Sequence, residues 1–138
     1  MYLFDTNVIS ELRKKTSINL GVKRFFQRAT EQDERGYISV ITVGELRRGI
    51  ELIRHRGDKV QAQILETWLQ VILDDYANNI LDFTTEESQV WGCLRVPQYE
   101  NALDKQIAAT ALIHGLILVT RNVDDFAGSG VELLNPFE

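Results

Sequence analysis

The sequence predicts an α/β fold in which a mainly parallel central sheet is flanked by helices. Two patterns support this: short apolar runs typical of buried strands, and longer intervening segments whose apolar residues recur at helical spacing. Helices that repeatedly separate short strands are typical of a parallel sheet covered on both faces. The chain has 138 residues, of which 44% are hydrophobic, so we expect one domain with one core over residues 1–138.

The first half of the chain is predicted to contain two strands and three helices. The strands lie at residues 3–4 and 37–40, and the helices lie at residues 7–12, 19–34 and 42–55. The second helix is amphipathic, because its apolar residues recur at the i, i+3, i+4, i+7 spacing of one helix face. These residues are Val22, Phe25, Phe26 and Ala29. Gly36 opens the strand that follows this helix.

The second half is predicted to contain three more strands and three more helices. The strands lie at residues 80–83, 116–119 and 131–134, and the helices begin at Asp58, Thr84 and Leu103. The first of these helices carries an apolar stripe formed by Ile64, Leu65, Trp68, Leu69 and Ile72. Thr84 and Glu87 form a capping box that starts the next helix, which ends near Pro97. The last helix ends at His114, because Gly115 is a typical helix stop.

Composition excludes several classes of protein. The net charge of −5 argues against binding nucleic acid mainly by bulk electrostatics, although an enzyme can concentrate its acids in one site. The single cysteine, Cys93, excludes an internal disulfide and a cysteine-based zinc site. No apolar run approaches the roughly 20 residues of a membrane span, and no secretory leader is visible, so a cytoplasmic protein is expected. His55 and His114 lie at helix ends, where the helix dipole explains them without catalysis.

Four candidate site residues lie where predicted strands end or a helix begins. Asp5, Glu45 and Asn122 each follow a different strand, and Asp104 opens the last helix on the face of its apolar stripe. Each has a purely structural alternative. These are Asp5 or Asn7 as a helix N-cap, Glu45 in a capping box with Thr42, Asp104 as a cap or a complement to the helix dipole, and Asn122 in a polar loop that leads into a short turn. The alternatives stay open when each residue is considered alone.

The joint placement of these residues favours a metal site. The carboxyl ends of parallel strands share one edge of a sheet, where ligands bind in folds of this class. Several carboxylates brought close together repel one another unless a cation neutralises them. An all-oxygen cluster without histidine suits Mg²⁺, with Mn²⁺ as a substitute, and the natural chemistry is hydrolysis of a phosphodiester. The residues expected to support the cluster are Thr6, Asn7, Thr120 and Asp125.

Four ordered motifs resemble those of PIN domains of the VapC toxin type. The motifs are residues 3–10, residues 39–46 with Gly49, residues 104–111, and residues 118–122 with Phe126. The resemblance covers nearly the whole chain in the family's order and spacing. The closing segment Asn135-Pro136-Phe137 also resembles a tail seen in FitB-like members.

The resemblance implies a PIN-like three-layer α/β sandwich and Mg²⁺-dependent endoribonuclease activity that inhibits translation. It places metal-binding acids at Asp5 and Asp104, with Glu45 as the third acid. Asn122 falls where many members carry a fourth acid, which leaves the number of metal ions open, and Asp125 is a partial substitute. The implied products carry a 5′-phosphate and a 3′-hydroxyl.

The resemblance also implies partners. They are an RNA substrate, a second copy in a homodimer, and a cognate VapB-like antitoxin whose C-terminal segment covers the active site. The other end of such an antitoxin binds operator DNA, so that the complex represses its own genes. No membrane partner is expected.

Three rival interpretations fit the sequence less well. A phosphotransferase of the haloacid-dehalogenase type needs a second aspartate two residues after the first, where this chain has Asn7. A receiver domain needs an acidic pair that the sequence does not place correctly. The third rival is a non-catalytic PIN-fold partner of a DNA-binding antitoxin that acts in transcriptional repression, and the presence of Asp5, Glu45 and Asp104 argues against it.

Overall fold

The computed structural model describes residues 1–138, and its centre is a five-stranded sheet. The strands are β1 (Tyr2–Phe4), β2 (Gly36–Ser39), β3 (Ile80–Leu81), β4 (Ile117–Val119) and β5 (Leu133–Leu134). Their order across the sheet is β3-β2-β1-β4-β5, and every neighbouring pair is parallel. The chain therefore builds outwards from β1 in one direction through β2 and in the other through β4. This reversal of strand order lies beside β1, where ligands bind in open α/β sheets.

Six helices cover the sheet. They are α1 (Thr6–Leu12), α2 (Leu20–Glu31), α3 (Val40–His55), α4 (Lys59–Asp75), α5 (Thr85–Leu94) and α6 (Ala102–His114), with short 3₁₀ turns at Lys15–Ser17 and Val123–Phe126. None of these helices combines the length and apolar character needed to cross a membrane.

The core is divided into two halves by the sheet. Successive strand residues point to opposite faces, so Phe4 packs with α1 to α4 on one side, while its neighbour Leu3 packs against α6 on the other. Leu118 and Val119 divide in the same way. Helix, sheet and helix layers result, which confirms the predicted α/β three-layer fold with a parallel central sheet.

Several predicted boundaries were wrong by a few residues. Helix α2 ends at Glu31 instead of residue 34, and α3 begins at Val40 because the Ser39 hydroxyl accepts a hydrogen bond from the Ile41 amide and caps it. Strands β3 and β5 have only two residues each. Ile64 was expected in the apolar stripe of α4 but is 55% exposed, because the buried face of α4 is set by Ala62, Leu65, Leu69 and Ile72.

An aromatic cluster holds α2 and α4 against the start of the sheet. The ring of Phe4 lies 4.9 Å from that of Phe26, 6.2 Å from that of Phe25 and 6.3 Å from that of Tyr76, measured between centroids. Burial raises the pKa of Tyr76 to about 12, with a smaller contribution from Asp75. Gly36 faces this cluster, since a Cβ built on it would lie 2.1 Å from Cε2 of Phe4.

We predict that Gly36→Ala destabilises the fold by about 1–3 kcal/mol, because the packed Phe4 ring cannot move aside without strain. Urea unfolding measures this. Gly92→Ala is the matched control: Gly92 lies in α5 with no atom within 4 Å of its added Cβ. The control should gain about 0.5–1 kcal/mol from higher helix propensity. Equal effects of the two variants would contradict the packing argument.

Candidate active site

Polar side chains from four elements meet at the carboxyl edge of the sheet. Asp5 follows β1, Thr120 follows β4, Glu45 lies in α3, and Asp104 lies in the first turn of α6. Helices α1 and α3 begin directly after β1 and β2, so their N-termini also lie at this edge. The partial positive charge of helix N-termini favours acidic groups there.

Asp5 is the buried centre of the site, with 4% of its surface exposed. It is the N-cap of α1, and its Oδ1 accepts a hydrogen bond from the Thr6 amide at 2.8 Å. Its Oδ2 accepts from the Thr120 hydroxyl at 2.8 Å and from Nδ2 of Asn7 at 3.3 Å. A carboxylate has about four acceptor positions, so one position on Oδ1 stays free.

Burial raises the pKa of Asp5. The hydrogen bonds from Thr120 and Thr6 oppose this effect, while the charges of Glu45 and Asp125 add to it. The site therefore holds a buried carboxylate whose hydrogen bonds do not fully compensate for lost hydration and for neighbouring negative charge.

Thr6 connects Asp5 to the acid on α3. Its hydroxyl oxygen lies 2.7 Å from Oε1 of Glu45 and 3.1 Å from the hydroxyl oxygen of Thr42. A hydroxyl has one hydrogen to donate, and the shorter contact to a carboxylate is the stronger one. We therefore assign Thr6 as the donor to Glu45, with the buried Thr42 hydroxyl donating to Thr6. The hydrogen bonds from Thr42 to Thr6 and from Thr6 to Glu45 orient the Glu45 carboxylate toward the site.

Asn7 and Thr120 connect Asp5 to the end of β4. The Thr120 hydroxyl donates to Asp5 and accepts from Nδ2 of Asn7 at 3.3 Å and from the Asn122 amide at 3.1 Å. Oδ1 of Asn7 accepts from the Arg121 amide at 3.1 Å. Both residues therefore use their hydrogen-bonding groups to fix the position of Asp5.

Asp104 is the acid with the most strongly shifted pKa in the site. Its side chain is partly exposed and accepts no hydrogen bond, and its pKa is raised from 3.8 to about 6. Burial is the largest cause, followed by the charges of Asp5, Asp125 and Glu45. It lies on the same side of α6 as the buried Ile107, Ala108 and Ala111, as its sequence pattern predicted.

The acids fit a divalent cation by charge and by donor type. Carboxylate oxygens without imidazole or thiolate are the ligands that Mg²⁺ and Mn²⁺ prefer. One acceptor position of Asp5 and the whole carboxylate of Asp104 are free of hydrogen bonds. No three acidic, histidine or cysteine side chains lie close enough to hold one ion directly in this structure. Direct ligation by Asp5, Asp104 and Glu45 stays a prediction.

The structure brings most of the sequence-predicted residues together. Hydrogen bonds link Asp5, Thr6, Asn7, Thr120 and Glu45, and electrostatic interactions link Asp104 and Asp125 to them. Asn122 contributes its backbone amide, but its exposed side chain makes no hydrogen bond to the others.

The structural alternatives have mixed outcomes. Asp5 does cap α1, so capping and a place in the acidic site coexist in one residue, whereas Asn7 lies inside the helix. The predicted capping box of Thr42 and Glu45 was wrong. Helix α3 begins at Val40 and is capped by Ser39, so Thr42 lies inside the helix. The capping box of Thr84 and Glu87 is confirmed.

Two polar residues were assigned incompletely from the sequence. Thr42 was considered only as a cap, although its position one turn before Glu45 places the two on one helix face. Nε2 of His114 lies 3.2 Å from Oε1 of the buried Glu87, so His114 contacts the cap of α5 as well as ending α6. Burial alone would raise the pKa of Glu87, but hydrogen bonds from Thr84 and the interaction with His114 outweigh it and lower that pKa.

Comparison with known proteins identifies similar chains. The family profile described as PIN domain matches residues 2–128. The chain is 34% identical to Toxin FitB of Neisseria gonorrhoeae, with 99% of each chain covered. It is 31% identical to VapC ribonuclease Y4jK of Sinorhizobium fredii, covering 100% of this chain and 99% of that protein. It is 33% identical to plasmid stability protein StbB of Pseudomonas syringae pv. tomato, with 100% and 99% covered.

Two solved structures are similar to this chain in fold and in sequence. FitAcB from Neisseria gonorrhoeae matches with a TM-score of 0.84 and 33% identity, covering 99% of this chain and 98% of that chain. FitAB bound to an IR36 DNA fragment matches with a TM-score of 0.85 and 30% identity, covering 100% and 96%.

We predict that Asp104→Asn stabilises the metal-free chain at pH 7.5 and has only about a third of that effect at pH 4.5. Because the folded-state pKa of about 6 lies above the ordinary 3.8, the folded chain binds this proton more tightly. The resulting stability is present below about pH 4 and is lost as pH rises through 6. The two pKa values correspond to at most about 3 kcal/mol, which screening of a partly exposed carboxylate reduces to about 1–2 kcal/mol.

Urea unfolding in EDTA at the two pH values measures this effect. Asp124→Asn is the control, since Asp124 is exposed in the neighbouring 3₁₀ turn. The same gain at both pH values, or the same gain in the control, would show that the raised pKa of Asp104 is not its source.

Proposed function

The chain belongs to the PIN-domain family, and on that premise we propose that it is a metal-dependent endoribonuclease acting as the toxin of a toxin–antitoxin pair. At family level it is a nuclease with relatives that are toxins, one of them a VapC ribonuclease and another Toxin FitB. The observation that carries the proposal is a group of four acids at the carboxyl edge of the sheet: Asp5, Glu45, Asp104 and Asp125. Their mutual repulsion adds to the effect of burial in raising the pKa values of Asp5 and Asp104.

In this proposal each polar residue has a defined task. Asp5, Asp104 and Glu45 would hold Mg²⁺, or Mn²⁺ in its place. When bound, the ion would supply positive charge for the scissile phosphate and for the attacking water. The hydrogen-bond partners of the acids fix their orientation, as outer residues of metal sites commonly do.

The orientation of each acid follows from its contacts. The Thr120 hydroxyl and the Asn7 amide donate to Oδ2 of Asp5, and the Thr6 amide donates to Oδ1. One acceptor position on Oδ1 is then available to a metal ion. Thr6 holds one oxygen of Glu45, so the other is available to accept a proton from water or to join the ion. Asp104 is deprotonated above its pKa of about 6 and then available to bind a cation. Asn122 would contact substrate or ordered water from the rim.

The partners follow from the relatives. The solved neighbours are FitAB, FitAcB and VapBC complexes, some of them with DNA. We therefore assign this chain a cognate VapB-like antitoxin, whose DNA-binding part would carry the complex to operator DNA, and RNA as the substrate of the free toxin, with inhibited translation as the outcome. We also expect a homodimer and a cytoplasmic location.

We predict that the purified chain, free of antitoxin, cuts total bacterial RNA in the presence of Mg²⁺ at discrete positions, which sequencing of new 5′ ends locates. Asp5→Asn should lower cleavage by at least about 100-fold, since loss of even an outer partner of a metal ligand costs 10- to 100-fold. EDTA should abolish cleavage. Asp33→Asn is the control, because Asp33 is exposed and lies in the loop that leads into β2 at the opposite edge of the sheet.

Cleavage by Asp5→Asn at the parental rate would refute the site. Cleavage that survives EDTA would refute the metal requirement. No cleavage by a folded chain that binds Mn²⁺ would favour the non-catalytic repression partner instead.

A further inference from the structure

The backbone of Arg121 is attached to the edge of the site's hydrogen-bond network. It directly follows the buried Thr120, which donates to Asp5. Its backbone amide donates to Oδ1 of Asn7 at 3.1 Å, and the other end of the Asn7 side chain donates to Asp5. The backbone of Arg121 is therefore fixed relative to the central acid by two short chains of hydrogen bonds.

The guanidinium group of Arg121 is ordered without being neutralised. It lies 4.5 Å from the centroid of the Phe137 ring, in a cation–π arrangement. Its charge acts on Glu11. Burial is the largest influence and raises the pKa of Glu11, whereas Lys14 and the Asn19 amide lower it, and the charge of Arg121 lowers it further. Glu11 itself is paired with Lys14 at 2.9 Å, and Arg121 forms no ion pair within 4.0 Å. Its N–H donors are therefore free for a ligand.

The Phe137 ring is held in place by a clamped segment, Asn135 to Glu138. Oδ1 of Asn19 accepts from the Glu138 amide at 3.1 Å, and Nδ2 of Asn19 donates to the Glu138 carbonyl at 2.9 Å. Arg24 pairs with the Glu138 side chain at 2.8 Å. The segment also packs directly on α2, since a Cβ on Gly21 would lie 2.1 Å from the Pro136 carbonyl oxygen.

The position of Arg121 relative to the acids indicates what it would bind. Arg121 directly follows Thr120, whose hydroxyl donates to Asp5, so its backbone lies beside the acid cluster. Its guanidinium forms no ion pair with any of the acids of the cluster. A guanidinium fork matches the oxygens of a phosphate group, and an acidic chain needs local cations to hold a polyanion next to its carboxylates.

We propose that Arg121 binds a phosphate of the RNA strand next to the cleaved bond, and that Phe137 and its clamped segment hold the guanidinium in the binding orientation. This inference rests on the proposed ribonuclease function. Arg121 would set affinity and register of the strand, while the acids perform the chemistry.

The test measures RNA binding in an Asp5→Asn background, where the strand is not cut. The probe is a fluorescein-labelled, random-sequence single-stranded RNA of 20 nucleotides, followed by anisotropy with Mg²⁺ at several KCl concentrations. Arg121→Gln should weaken binding by about tenfold, as for one charge-assisted contact. It should also reduce the slope of log affinity against log salt by about 0.7, the value for one single-strand phosphate.

Two further variants separate charge from orientation. Arg121→Lys and Phe137→Leu keep the cation, so each should keep the parental salt slope while weakening binding severalfold. Arg28→Gln, in the last turn of α2, removes the same charge away from the acids and should change neither quantity. In cleavage of total RNA with Asp5 intact, Arg121→Gln should raise KM and leave kcat within about twofold, as expected for a uniform-binding contact.

The outcomes distinguish this inference from the function on which it rests. If the parent cuts RNA but Arg121→Gln binds RNA with parental affinity and slope, the inference alone fails. If the parent neither binds nor cuts RNA, both fail. If Arg121→Gln weakens binding of labelled poly-L-glutamate and leaves RNA binding unchanged, Arg121 contacts an acidic protein and the inference is overturned.

Discussion

The burial of the Asp5 carboxylate at the end of the central strand is the constraint on which the rest of the site depends. A buried charge is costly unless it is hydrogen-bonded or paired. Here Thr6, Asn7 and Thr120 supply hydrogen bonds that tie β1, α1 and β4 together. They are not sufficient, because the pKa of Asp5 is still raised. The remaining imbalance is what a divalent cation would relieve, so the cost of the folded acid and the proposed metal chemistry have one origin.

The sheet topology explains how acids that are distant in sequence reach this point. With β1 in the middle and all strands parallel, the segments after β1, β2 and β4 leave the sheet at one edge. Helix α6 approaches closely because Ala108, Ala109 and Ala111 are small and almost fully buried. That approach partly buries Asp104, and burial, followed by the charges of Asp5, Asp125 and Glu45, raises its pKa to about 6.

The sequence was informative where local patterns decide the structure. The order and type of the five strands and six α-helices, the capping box at Thr84 and the carboxyl-edge position of Asp5 follow from periodicity and capping. Strand lengths do not, because strand pairing depends on tertiary contacts. The start of α3 was missed although Ser39, a residue type typical of helix N-caps, was a local signal for it. Ile64 has an apolar side chain at helical spacing, but the orientation of α4 leaves it exposed. The contact of Arg121 with Phe137 joins the segment after β4 to residues near the end of the chain and has no local signal.

The measurement that tests the account most directly is Mn²⁺ binding to the metal-free chain, followed by electron paramagnetic resonance between pH 5 and pH 8. The account predicts saturable binding that strengthens as pH rises through about 6, where Asp104 loses its proton. It also predicts at least about tenfold weaker binding in both Asp5→Asn and Asp104→Asn. Binding that is equally strong at pH 5 and pH 8, and unchanged in both variants, would contradict the claim that these acids form a metal site.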